Sequence, residues 1–336
     1  MPGGLKMACA VYVSNEAGGE VVVLRLEQGR LEVEQRVEIG GVVMPLALSP
    51  DGRFLYAARR SDPLAVLSFA VEPGRGRLRL IGIAPLPESM PYIACDRSGR
   101  FLLAASYGGN QVSVSAIAPE GVAEAAQQVL PTPPKAHAIR ADRANRFVWA
   151  SSLGGDCLLR WRFDAAGGAL DAGSQQVLAM RPGSGPRHFV WDASGRHLYV
   201  LGELDGSLAV HDCSDDGLAE RQVVSTLPPG FDAKPWAADL HLAPDGRHLV
   251  ASERRSGTLA LFAVDPADGS LAPRGSFDTE ANPRGFAFDP TGRWLIAAGQ
   301  DSGALRLFAF EGETLESRQT LALGGGPNWV ETLALV

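Results

Sequence analysis

Apolar and polar residues alternate with a period of two in short runs along nearly the whole chain, and Gly-, Asp- and Pro-rich turns separate the runs. In "LALSPDGRFLYAAR" (46–59) one such run enters a Pro-Asp-Gly turn and a second leaves it, the pattern of two antiparallel strands. The unit returns as "IACDRSGRFLLAAS" (93–106), "IRADRANRFVWASS" (139–152) and "FVWDASGRHLYVLG" (189–202). It returns again as "WAADLHLAPDGRHLVAS" (236–252) and "FAFDPTGRWLIAAG" (286–299). Two further β-rich runs joined by a polar turn follow each unit, as in "SGTLALFAVDPADGSLAPRGSF" (256–277). Helical periodicity is almost absent. Its one candidate, "GVAEAAQQVL" (121–130), reads as a connection between units.

The turn arginines Arg53, Arg100, Arg146, Arg196, Arg247 and Arg293 are separated by 46 to 51 residues. A period of that length with four strands per unit (A to D) is that of a β-propeller blade. The N-terminal stretch supplies strands B, C and D with no A before them, and "GPNWVETLALV" (326–336) is a lone A-like strand. Pairing the two removes the exposed edges. The expectation is therefore an all-β, seven-bladed β-propeller over residues 1–336. It has four antiparallel strands per blade, and the N-terminal strands pair with the C-terminal strand to close one ring-shaped domain.

Net charge is −7, which argues against a general nucleic-acid or anionic-membrane surface, because both need a concentrated basic face. No apolar run approaches membrane-spanning length, and no basic-then-apolar segment opens the chain. Cys9, Cys95, Cys157 and Cys213 are far apart and form no CxxC pair, so free thiols and a cytoplasmic location are expected. There is no HExxH, no Cys/His cluster with metal-ligand spacing, no G-x-S-x-G elbow and no strand–GxGxxG–helix frame. No metal or cofactor is expected.

In a propeller, the start of strand A and the end of strand B face the same mouth of the ring. Eight residues before each turn glycine, or its equivalent Asn145, stand Met44, Pro91, His137, Arg187, Ala238 and Arg284. Eight after it stand Arg60, Tyr107, Leu153, Glu203, Arg254 and Gln300. Arginines gathered around one acid and one histidine point to a site for a small anion with an acid/base group beside it. Each residue also has a structural reading. His137 fits an inner-strand histidine, and Arg187 and Arg284 fit caps on blade edges. Glu203 with Arg254 fits an inter-blade salt bridge, and Arg60 and Tyr107 fit decoration of the mouth. Asp239 and His241, two apart on one strand, share a face. They read first as a network that satisfies itself or the next blade's backbone, and they are also retained as substrate-binding candidates.

Taken in order along the chain, "GPRHFVWDASGRHLYVLGEL", "WAADLHLAPDGRHLVAS", "NPRGFAFDPTGRWLIAAGQ" and the closing "GGGPNWV" resemble the seven-bladed-propeller 6-phosphogluconolactonases of bacteria. That family also includes the fungal carboxymuconate cyclases. The resemblance implies hydrolysis of 6-phospho-D-glucono-1,5-lactone in the oxidative pentose phosphate pathway. It implies catalytic roles for His137, Glu203, Arg187 and Arg254; Arg284 and Gln300, from their place in the two columns, and Asp239 and His241 are the substrate-binding candidates. Arg254 is adjacent to Arg255, and the sequence does not say which faces the channel. The expected partner is a small anionic, phosphorylated sugar lactone, bound by a monomer or weak homodimer. A carboxylated muconolactone as substrate and a non-catalytic interaction scaffold are the alternatives. The base is not assigned between His137 and Glu203.

Overall fold

The computed structural model describes residues 8–215 and 217–335. Seven antiparallel sheets are arranged as blades. Six run in chain order, with inner strands Val43–Leu48, Tyr92–Cys95, Ala136–Ala141, Pro186–Trp191, Ala237–Leu242 and Pro283–Phe288. They are blades one to six below. In blade seven, Pro327–Leu335 is the inner strand and pairs antiparallel with Ala8–Asn15, followed by Glu20–Glu27 and Arg30–Glu38. The ring thus closes by the expected union of the two ends.

Period-two alternation is clearest in the outer strands, where one face is solvated; in Ala123–Pro131 the positions from 125 onward are exposed and half-buried by turns. The inner three strands of each blade are buried on both faces and read as near-continuous apolar runs, as in Leu295–Gly299. "GVAEAAQQVL" is not a connection: Ala123–Pro131 is the outer strand of blade two, paired with Gln111–Ile117. Blade three has a broken outer edge, in which Ala169–Leu170 and Gln176–Ala179 flank a 3-10 turn at Ala172–Ser174. Among the described residues that turn is the one helical element.

The A–B turns need a left-handed residue. Gly246 has φ of 67°, and Asn145 takes the same position at 56°. Asn145 also joins two blades, since its Nδ2 donates to Asp96 Oδ2 at 2.7 Å and its Oδ1 accepts the Arg97 N–H at 3.1 Å.

Apolar burial is concentrated between blades. Seven clusters form, one at each junction; Tyr199, Leu201, Val210, Leu240 and Phe262 fill the wedge between blades four and five. Because stability is supplied between the blades, the ring's axis is left available to polar side chains.

Candidate active site

The inner strands of blades one, three, four, five, six and seven each carry one extra residue relative to strand B, at the same height. Such a bulge breaks the alternation and re-aims side chains. Serines hold it in place. Ser151 Oγ accepts the Ala138 N–H at 3.0 Å and donates to the Arg187 carbonyl at 2.6 Å, and Ser252 Oγ accepts the Asp239 N–H at 3.0 Å. The residues at these bulges, with those just past the ends of the B strands, form one mouth of the channel.

Glu203 is the hub. Its Oε2 lies 2.9 Å from Arg187 Nε and 2.8 Å from Arg254 Nη2. The first contact is ionic, because the Nε–H is not aimed along it. Oε1 takes no hydrogen bond from the described residues. Arg254 Nε also donates to the Trp236 carbonyl at 3.0 Å, and its guanidinium lies 3.8 Å above the Trp236 ring. Arg255 is exposed, so Arg254 is the arginine that faces the channel. Burial, then repulsion from Arg187, lowers the Arg254 pKa to about 9; burial lowers that of Arg187 to about 10. Both guanidiniums are charged at neutral pH.

Arg187 Nη1 donates to the Ala238 carbonyl and contacts His188 Nε2 at 3.1 Å. His188 Nδ1 is 2.7 Å from Asp239 Oδ1. Only the tautomer with a proton on Nδ1 satisfies both contacts. Asp239 Oδ2 holds His241 Nε2 at 3.0 Å and the Phe286 N–H of the next blade at 3.1 Å. Asp239 and His241 therefore lie deeper in the channel, and among the described residues the hydrogen-bonded path from Asp239 to the Glu203 cluster runs through His188. Asp239 is held well below the usual carboxylate range despite burial, chiefly by His241, and His241 is raised, with Asp239 outweighing its own burial.

His137 is buried, its ring centroid 5.3 Å from that of His188 and 6.2 Å from that of Tyr107, and its Nδ1 has no partner. Burial and then Arg187 depress its pKa well below 6.5, so the ring is neutral. Arg284 Nη1 reaches Gln300 Oε1 only at 3.4 Å, and its Nε is unpartnered. Arg60 is held by Ser89 Oγ at 3.0 Å and is depressed by burial and by the nearby charge of Arg284.

The structure thus brings His137, Arg187, Glu203, Arg254, Arg284 and Gln300 to one mouth. It adds three residues that the sequence did not single out: His188, Glu16 and Asn328. Glu16 Oε2 accepts from Gln300 Nε2 and, at 2.9 Å, from Asn328 Nδ2. Glu16 and Asn328 are blade seven's members of the two columns. Aligning "VYVSNEAGG" with "LYAARRSD" would have found the first of them.

The buried neutral histidines set the acid limit. His188 is depressed to about 3 by burial and then Arg187, and His137 moves the same way. Between about pH 6.5 and 3 the unfolded chain binds the His188 proton and the folded chain does not, and His137 acts in the same direction, so stability falls as pH falls through that window. Asp239 adds to the loss as pH drops through its lowered folded value; His241, which is raised, offsets part of it. Urea unfolding at pH 7 and pH 4.5 should show a loss of a few kcal/mol, and a flat profile would contradict neutral buried imidazoles.

A model of the family described as "Lactonase, 7-bladed beta-propeller" matches residues 7–332. The chain belongs to this propeller lactonase family and is an enzyme of that class. It is 36% identical to a 6-phosphogluconolactonase of Pectobacterium carotovorum over 334 residues, covering 98% of this chain and all of that one. It is 34% identical to a 6-phosphogluconolactonase of Erwinia tasmaniensis, covering 96% of this chain and 98% of that one. Among solved structures, a periplasmic gluconolactonase of Pseudomonas aeruginosa superposes with a TM-score of 0.89 at 27% identity, covering 98% of this chain and all of that one.

Proposed function

We propose that the protein hydrolyses 6-phospho-D-glucono-1,5-lactone to 6-phosphogluconate, the lactonase step of the oxidative pentose phosphate pathway. The observation that carries a phosphorylated substrate is the pairing at the mouth. Arg187 and Arg254 are spent on Glu203, whereas Arg284 and Arg60 repel one another and, among the described residues, neither has a carboxylate within ion-pair distance, Glu16 acting on both from farther off. Two underused guanidiniums form a fork for a phosphate.

In this reading Arg60 and Arg284 hold the phosphate, and Gln300 fixes Arg284. The lactone carbonyl is directed at Arg187 and Arg254. Glu203 Oε1 takes a proton from water as the water oxygen bonds to C1, and negative charge develops on the carbonyl oxygen. As the carbonyl re-forms, the C1–ring oxygen bond breaks, and the proton passes from Glu203 to the leaving ring oxygen. Glu203 is favoured over His137 as base by charge conservation. Negative charge moves from the carboxylate to the oxyanion within reach of the same two guanidiniums, whereas protonating His137 would place a third cation beside them. His137 is then a neutral hydrogen-bonding wall. Asp239 and His241 act through His188 on the orientation of Arg187.

We place the reaction in the cytoplasm, as supported by four free cysteines, and in a monomer or weak homodimer. Among the described residues no helix is long and apolar enough to cross a membrane. The test is a coupled assay: glucose-6-phosphate dehydrogenase generates the lactone in place and 6-phosphogluconate dehydrogenase reports the product. Formation of 6-phosphogluconate well above the spontaneous rate is expected. Faster turnover of unphosphorylated gluconolactone would remove the phosphate role of Arg60 and Arg284.

A further inference from the structure

We propose a second anion-binding site at the opposite mouth of the ring, where Arg97, Arg140 and Arg143 converge to take a small dianion of the phosphate-monoester class. The three line a cavity of about 400 Å³ with Val190, Trp191 and Asp192. A neighbouring cavity of about 230 Å³ shares Arg97 and Arg140 and runs toward Tyr92, Trp329 and Glu331. The combined space suits a small ligand.

The fold does not call for arginine at these positions. Two residues before the turn glycine or its equivalent, Arg97 and Arg143 stand where the other blades have Pro50, Ala193, Pro244 and Pro290. Five before it, Arg140 stands where they have Ala47, Ala94, Val190, His241 and Ala287. Six blades make the same turn, and these cations are confined to blades two and three. Like charge placed this close costs stability unless something offsets it.

The offset among the described residues is partial: Asp142 acts favourably on Arg97, and Glu331 and Arg140 attract one another, but only at longer range. Among the described residues no carboxylate comes within ion-pair distance of any of the three. Glu331, in the neighbouring cavity, accepts the Trp329 Nε1–H at 3.0 Å, and the acids of the turns are occupied by those turns. Asp96 accepts the Arg100 and Phe101 N–H groups, Asp142 those of Arg146 and Phe147, and Asp192 that of His197 and the Ser194 hydroxyl. Arg97 is pre-positioned, its Nε and Nη2 donating to the carbonyls of Asp142 at 3.1 Å and Ala141 at 2.9 Å. Arg140 makes one long bond, to the Phe189 carbonyl at 3.3 Å, and Arg143 is exposed. Arg97 is held below its ordinary pKa by burial and next by the charge of Arg140, a repulsion that a bound dianion would relieve. Three guanidiniums match a phosphate's three oxygens better than they match a single carboxylate.

The site does not depend on the proposed lactonase reaction and is tested without it. Glycerol 3-phosphate is titrated calorimetrically at low ionic strength, with tartrate as the dicarboxylate comparison. An Arg284→Gln background separates the other mouth. Arg97→Gln/Arg140→Gln should weaken glycerol 3-phosphate binding at least tenfold in that background. Arg143→Gln, which removes no structural hydrogen bond, should weaken it severalfold with no change in Tm. Unaltered affinity in Arg143→Gln and in the double variant would overturn the site. Binding of tartrate but not of the phosphate ester would overturn its ligand class.

Discussion

Glu203→Gln is expected to lower kcat for lactone hydrolysis by about 10²–10⁴-fold, the usual contribution of a positioned general base, with a smaller change in KM. The amide keeps the shape of the side chain and still accepts a hydrogen bond from Arg254 Nη2, now 2.8 Å from Oε2, but it cannot take the proton from water. It also removes the one negative charge that Arg187 and Arg254 share in a nearly water-free setting, where their side chains are 2% and 4% exposed. Breaking a buried ion pair from one side costs roughly 3–5 kcal/mol, so a measurable fall in stability should accompany the loss of rate. Guanidinium unfolding and the coupled assay on one preparation separate the two effects. His137→Gln, by contrast, should leave more activity than Glu203→Gln. If the order is reversed, the base is His137.

The second large effect is expected at Arg187. Replacement by alanine strips Glu203 of one partner, leaves the Ala238 carbonyl without its donor and frees His188 Nε2. Loss of one oxyanion donor alone is worth about 10²–10³ in kcat. Added to the stranded buried carboxylate, it should bring Arg187→Ala close to the spontaneous rate and lower its Tm. Arg187→Lys makes the distinction. It restores a positive charge, so part of the stability should return, but a single ammonium cannot span Glu203, Ala238 and His188 together. A kcat still at least tenfold down in the lysine variant, with Tm partly recovered, is the expected result. Full activity in that variant would mean that charge alone matters and that the fork does not.

Much of this arrangement is legible in the residues alone. Indexing from the turn glycines placed His137, Arg187, Glu203, Arg254, Arg284 and Gln300 in two columns, and those columns do meet at one mouth. The index works because every blade builds its inner hairpin on the same turn. It fails in two physically distinct places. Glu16 and Asn328 belong to a blade whose A and B strands lie at opposite ends of the chain, so no contiguous turn marks them. His188 follows Arg187 directly, and simple alternation would send it to the other face, but the bulge between Pro186 and Phe189 lets both neighbours serve the channel. "GVAEAAQQVL" misled for another reason. Its alanines and glutamines favour helix locally, yet the Gln111–Ile117 edge offers pairing, and Ala123–Pro131 then alternates in exposure as a strand does.

The join in blade seven also governs the order in which the molecule can be completed on the ribosome. Residues 8–38 emerge early, but their inner partner, Pro327–Leu335, is made some 290 residues later. At synthesis rates of about 5–20 residues per second, the Ala8–Asn15 edge waits roughly 15 to 60 seconds for its mate. Throughout that interval it presents "ACAVYVSN", an apolar strand with no charged residue to deter a neighbouring nascent chain. The yield of native protein should therefore fall with the concentration of nascent chains more steeply than its final stability would suggest.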